Sequence, residues 1–374
     1  MSNGNLIDVH VHVGLVGNRW PEWGRMSKWY RDQVGFKIFL KFAGIKPEEV
    51  SDTHLTEAII KTIDSSKMDK VVCLALDPVY DIKGIRNEGA SHVWIDNEYI
   101  IQQLQKSSNK VLLGASVHPY DPEFKARVSN YVDKGAVLIK WLPSAQQINL
   151  ADERVGEALE FLATAKNGKP LPLLLHVGGE YAIPTTNEKT STYDYLCWSW
   201  LEGVRNSVRF KNKYFTPQIK EIKKNLRKGL DAGATIIFAH CGLPYFANGL
   251  LSFLEHSDFP VVKKYLEQND KNLYSGKCYA DISAFSTPFR KPYFDYLKEL
   301  PEEYLLFGSD YPTPVFEIFS DEKEKKSDFK AMMNGHLERI VVPEDNLLDV
   351  NHQMLCKAFR GHPLFTNFSK LIEF

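Results

Sequence analysis

The segment Leu6-Ile7-Asp8-Val9-His10-Val11-His12-Val13 alternates, from Ile7 onward, valine or isoleucine with acidic or imidazole side chains. In a strand, residues two apart share a face. Asp8, His10 and His12 therefore point one way and Val9, Val11 and Val13 the other. Two imidazoles on one face near a strand's C-terminal end make half a site for zinc or a similar divalent ion. Two histidines placed by packing would give the same pattern. Seven further apolar, β-branched runs of strand length follow, at residues 70–76, 111–117, 136–142, 171–177, 235–239, 278–284 and 304–307. The intervals are long enough for a helix each, and residues 97–105 and 153–165 carry apolar positions three and four apart. Strands alternating with helices predict a parallel sheet, and eight such units predict an α/β fold, a (β/α)8 TIM barrel.

Two intervals exceed a plain crossover, so insertions are expected after strands 1 and 5, at about residues 14–66 and 178–233. The first carries Arg19, Trp20, Trp23, Arg25, Trp29 and Tyr30; the second carries Tyr193, Tyr195, Trp198, Trp200, Arg205 and Arg209. Both begin at the C-terminal face of a barrel, where active sites form. Their aromatics either line a pocket for a planar, anionic substrate or pack the insertions onto the barrel. Mixed or basic charge runs at 220–228 and 321–328 fit solvated faces. Residues 1–374 are expected to form a single barrel domain, with a C-terminal helical extension from about residue 320.

The 374 residues are 44% hydrophobic and 25% charged, with a net charge of −1. That balance offers no basic excess for nucleic acid or an anionic membrane. Cys73, Cys197, Cys241, Cys278 and Cys356 are scattered and odd in number, which fits a reduced, intracellular setting. Neither a signal peptide nor a run of roughly 18 apolar residues is evident. The expectation is a cytoplasmic protein whose partner is a small-molecule substrate, with a homodimer left open.

Four later runs also end in a chemically active side chain. Residues 136–139 lead to Lys140, 173–175 to His176, 236–239 to His240 and 305–309 to Asp310. Polar groups at the ends of apolar parallel strands sit at the rim of a barrel, so five strands aim such groups at one mouth.

This set resembles the amidohydrolase superfamily: the Asp8-Val9-His10-Val11-His12 segment, Lys140 on a fourth strand, His176 on a fifth, His240 on a sixth and Asp310 on an eighth. His240-Cys241-Gly242 and Gly308-Ser309-Asp310-Tyr311-Pro312 are similar to its amidohydrolase-2 branch, the aminocarboxymuconate-semialdehyde decarboxylase-like metal-dependent hydrolases. Residues 347–359, with Asn351, look like that branch's terminal helix. The resemblance implies a divalent metal, usually zinc, held by His10, His12, His176 and Asp310. It implies that Asp310 also relays a proton and that His240 acts as general acid or base. Lys140 is either an ammonium beside a single ion, the favoured arrangement, or a carbamate bridging two ions. Asp8 and Asp281 would orient ligands. His118 either reaches the pocket or makes a local loop hydrogen bond. The implied activity is hydrolysis of a small substrate, carboxylated or cyclic ones among the candidates, through a metal-activated water. The alternative is non-oxidative decarboxylation of a small carboxylic acid, which needs a cation such as Arg19, Arg25, Arg205 or Arg209 near the leaving group. A third reading, from another class, is an inert binding barrel.

Overall fold

A computed structural model describes residues 5–177, 183, 215–243, 258–286, 294–313, 342, 344–359 and 363–372. Eight strands form one sheet: β1 (Ile7–His12), β2 (Lys70–Leu74), β3 (Val111–Ala115), β4 (Ala136–Trp141), β5 (Leu173–Leu175), β6 (Thr235–Phe238), β7 (Lys277–Asp281) and β8 (Leu305–Leu306). Their order in the sheet is their order in the chain. The pairings from β3 through β7 are parallel, with Leu113 opposite Ala136, Lys140 opposite Leu174 and Ile236 opposite both Leu173 and Cys278. The first strand also meets the last: Val9 N–H donates to Phe307 O at 3.1 Å, His12 N–H to Tyr311 O at 2.9 Å and Asp310 N–H to His10 O at 2.8 Å. A parallel sheet of consecutive strands whose ends are joined is the (β/α)8 barrel expected from the alternating runs.

Each apolar run became a strand, though several strands are shorter than their runs. The run at 278–284 ends as β7 at Asp281, and Ala284 beyond it takes a left-handed conformation with φ 58°. Strand β8 ends at Leu306 with left-handed Asp310 (φ 61°) just beyond it. Strands β4, β5 and β6 are buried along both faces, as parallel strands covered by helices must be.

The described chain divides into two compact units. One comprises Met1–Cys73, Glu98–Leu112 and Ile282–Phe374. Its core holds Ile7, Val9, Val11, Val71, Val72, Leu104, Leu305, Leu306 and Phe368. Helix α1 (Asp52–Ser65) is capped by Ser51, whose hydroxyl accepts from His54 N–H. The first insertion is ordered here as the short strand Gly24–Met26 and the helices Lys28–Asp32 and Val34–Phe42. The carboxylate of buried Asp52 ties its start down. Oδ1 accepts from the backbone of Val16 (2.7 Å) and Gly17 (2.9 Å), and Oδ2 from that of Arg19 (2.7 Å) and Trp20 (3.0 Å). The expected helix at 97–105 is present as Asn97–Tyr99, Ile100–Leu104 and Gln105–Ser107, with a π turn in its middle segment.

The other unit comprises Leu74–Asn97 and Leu113–Asp281. Its core holds Leu113, Leu138, Ile139, Trp141, Leu174, Ile237 and Phe238. Helices α2 (Phe124–Asp133), α3 (Glu153–Leu162), α4 (Phe215–Ala232) and α5 (Phe259–Gln268) follow β3, β4, β5 and β6 in the chain. Helices α3 and α4 approach closely because Gly229 has no side chain; a β-carbon there would lie 2.4 Å from Leu159 Cβ. A hairpin pairing Val79–Tyr80 with Arg86–Asn87 was not foreseen.

Helix α6 (Leu347–Phe359) and the 3-10 helix Pro363–Lys370 form the described part of the tail. The second insertion between 178 and 214, apart from residue 183, and residues 314–341 lie outside the described residues. Among the described residues, no helix is long and apolar enough to cross a membrane.

Candidate metal centre

The ends of β1 and β8 bring three donor atoms together. His10 Nε2 and His12 Nε2 are 3.1 Å apart. Asp310 Oδ1 lies 3.1 Å from His12 Nε2 and 3.5 Å from His10 Nε2. The alternation of β1 puts both imidazoles on one face, and the left-handed turn at Asp310 lets its carboxylate face them across the β1–β8 seam. A non-glycine residue held at φ 61° costs on the order of 1 kcal/mol or more, and such strain concentrates at functional positions.

The surrounding contacts fix these donors. Thr313 Oγ1 donates to Asp310 Oδ2 at 2.9 Å, which leaves Oδ1 toward the histidines. Asp8 Oδ1 accepts from His10 N–H at 3.1 Å and from Ser309 N–H at 3.0 Å, so one buried carboxylate oxygen ties the two strands that carry the donors. Ser283 Oγ lies 3.2 Å from His10 Nδ1. Gly308 makes room: a β-carbon there would stand 2.8 Å from His10 Cβ and 3.1 Å from Ser283 Cβ. The side chain of His12 is 34% exposed, whereas that of His10 is fully buried, so the group is reached from the His12 side.

The donor set fits a divalent ion. With ligand bonds of 2.0–2.1 Å, the edges of a zinc tetrahedron measure roughly 3.3 Å. The three observed separations, 3.1, 3.1 and 3.5 Å, bracket that length. Two ring nitrogens this close cannot both carry a proton without repulsion, so at least one presents a lone pair to the shared space. Two imidazoles and a carboxylate match the ligand types of catalytic zinc sites, which keep a position open.

The remaining strand-end residues lie in the second unit. His176 follows β5, donates its N–H to Trp141 O at 3.0 Å, and sets its ring edge-on to His240, with centroids 5.1 Å apart. His240 follows β6 in a left-handed conformation (φ 54°), as does Cys241 (φ 53°). The His240 N–H donates to Asp281 Oδ1 at 2.9 Å, and Nδ1 lies 4.0 Å from the same oxygen. Lys140 is almost wholly buried on β4, where a charged ammonium is costly unless paired. His118 makes local bonds: Nε2 is 2.9 Å from Gln146 O, and Nδ1 accepts from Tyr120 N–H at 3.1 Å. Burial lowers its pKa to about 3, so it stays neutral.

No protein-family model and no curated protein matches the chain. Among solved structures it is similar to an apo IDCase from Metarhizium anisopliae, with 14% identity, TM-score 0.43, 96% of this chain and 97% of that one. It is also similar to a 5-carboxyvanillate decarboxylase from Novosphingobium aromaticivorans with bound manganese, with 13% identity, TM-score 0.43, and 95% and 97% of the two chains. A third is dihydroorotase from Campylobacter jejuni, with 14% identity, TM-score 0.40, and 96% and 86% of the two chains. At TM-scores below 0.5, these likenesses add nothing to what the strand order already shows.

In the first insertion Trp20, Trp23 and Tyr30 favour the packing reading, whereas Trp29 is 50% exposed. Trp20 stacks on Trp23 at 6.1 Å and contacts Tyr99 at 6.0 Å. The Arg19 guanidinium sits over the Trp20 ring at 4.7 Å and donates to Thr53 Oγ1 at 2.9 Å. Arg205, Arg209 and the aromatics Tyr193, Tyr195, Trp198 and Trp200 lie outside the described residues. A cavity of about 480 Å³ lined by Phe42, Ile45, Glu57, Lys61 and Leu347, among others, contains none of the candidate site residues. Sequence reasoning missed Ser283, Thr313 and Gly308. Ser283 lies two residues beyond Asp281, on the same strand parity, which is the one signal that pointed to it.

Proposed function

We propose that the protein is a metal-dependent hydrolase of the amidohydrolase type, acting on a small substrate at a centre anchored by His10, His12 and Asp310. The observation that carries this is the approach of His10 Nε2, His12 Nε2 and Asp310 Oδ1 at the edge lengths of a zinc tetrahedron. The family resemblance adds His176 as a further ligand and His240 as general acid or base. Support for including them is that each ends a strand of the same parallel sheet. A bound divalent ion, zinc by this reading, would supply a nucleophile at neutral pH by lowering the pKa of water to roughly 7.

The chain's own groups divide the remaining work. Asp310, anchored through Oδ2 by Thr313, keeps Oδ1 as the atom that meets the ion or holds a proton. His240, with its backbone fixed by Asp281, would deliver a proton to a leaving group. Lys140, buried on β4, would be an ammonium that binds a substrate anion or pairs with a nearby acid, beside one ion rather than two. A cytoplasmic location and a small-molecule partner belong to the same proposal. They rest on the scattered cysteines and the near-neutral net charge.

The test is metal analysis of the purified full chain, together with screening of amides, esters, lactones and small carboxylic acids. Stoichiometric zinc or manganese with hydrolysis supports the proposal. Release of CO₂ without hydrolysis would move the activity to decarboxylation at the same centre. Absence of bound metal, with no stabilisation on adding it, would leave the inert-barrel reading.

A further inference from the structure

We infer that Ser283 is a positioning residue for His10, holding the ring by Nδ1 so that Nε2 faces the shared donor space. The inference rests on the metal centre proposed above and assigns a role to a residue outside its donor set. Ser283 is fully buried, and its Oγ lies 3.2 Å from His10 Nδ1. On the other side of the same ring, Nε2 faces His12 Nε2 at 3.1 Å and Asp310 Oδ1 at 3.5 Å. An imidazole that gives a lone pair to a metal through Nε2 carries its proton on Nδ1, and a ligand histidine nearly always donates that proton to a fixed acceptor. The Ser283 hydroxyl is such an acceptor, at the correct nitrogen.

Local backbone geometry holds Ser283 in place. Ile282 N–H donates to Leu306 O at 3.0 Å, which pairs the residue before Ser283 with β8. Ala284, the residue after it, turns left-handed at φ 58°. Gly308 leaves the gap that His10 Cβ and Ser283 Cβ both border. Strand pairing, a turn and a bare α-carbon thus converge on one hydroxyl and one ring nitrogen.

The experiment compares zinc affinity, by chelator competition, in the full-length wild type, Ser283→Ala and Ser283→Thr. It adds the nitrogen-bound imidazole protons of the zinc-loaded proteins by NMR. The expected result is a loss of about tenfold or more in zinc affinity for Ser283→Ala. Ser283→Thr, which keeps the hydroxyl, is expected to stay within about threefold of wild type. The His10 Nδ1 proton should exchange slowly in the wild type and rapidly in Ser283→Ala. Wild-type affinity and an unchanged His10 proton in Ser283→Ala would overturn the inference while leaving the metal centre standing. A wild-type chain that binds no zinc would overturn both.

Discussion

Two buried histidines, His10 within β1 and His118 beyond β3, have opposite surroundings. Around His118 the partners are complementary: a carbonyl oxygen at one ring nitrogen and a backbone N–H at the other. Its ring also stacks on Tyr80 at 4.9 Å, and its own N–H donates to Asp77 Oδ2 at 2.8 Å. Around His10 the partners on the Nε2 side are a second ring nitrogen and a carboxylate oxygen, both rich in lone pairs. A histidine matched donor to acceptor is a structural part. A histidine gathered with a second ring nitrogen and a carboxylate oxygen is arranged as a candidate cation ligand.

That contrast is breakable by substitution. The largest effect is expected for His10→Ala and Asp310→Ala, each of which removes a donor and should lower zinc affinity by more than about a hundredfold, measured by chelator competition. Gly308→Ala should follow, because the added methyl displaces His10 or Ser283. It should weaken zinc binding by tens of fold and lower stability by about 1–3 kcal/mol, read from urea unfolding. His118→Ala should do the reverse. Leaving Gln146 O and Tyr120 N–H buried without their partner should cost about 2–4 kcal/mol of stability, with zinc affinity within threefold of wild type. Thr313→Val, which frees Asp310 Oδ2 to rotate, should cost about tenfold in zinc affinity.

The same contrast predicts a pH dependence at His118. Burial depresses its folded pKa from 6.5 to about 3. The unfolded chain therefore takes up a proton below pH 6.5 that the folded chain refuses until about pH 3. Stability from this residue is complete above pH 6.5 and is lost as pH falls through that window. Arg127 and Arg154 oppose protonation of the ring, and Asp121 favours it. Urea midpoints of wild type and His118→Gln should keep a constant offset above pH 6.5, and the wild-type midpoint should fall relative to the variant's between pH 6.5 and about pH 3; parallel curves throughout would contradict the buried-neutral assignment.

The barrel was legible because every parallel strand lies in a predominantly apolar run of strand length, and β1 gave away its faces through strict alternation. The donors were legible for related reasons: His10 and His12 share a parity, and Asp310 closes an apolar run. Of their supports, Asp8 was legible because it shares the parity of His10 and His12, and Ser283 only through its parity with Asp281. Thr313 was not, because it lies past a strand end, beyond the left-handed turn at Asp310. Asp52 reads as an ordinary helix-start acid, yet it gathers four backbone N–H groups from residues 32–36 positions earlier. The hairpin at 79–87 escaped notice because each of its strands has only two residues.

X-ray absorption at the zinc edge of the metal-loaded full chain tests the metal centre most directly. The account predicts one zinc per chain, with nitrogen or oxygen neighbours at about 2.0–2.1 Å. Imidazole scattering should come from at least two rings and weaken in His10→Ala. A wild-type chain that retains no zinc, or a spectrum without imidazole that is unchanged in His10→Ala, would contradict it.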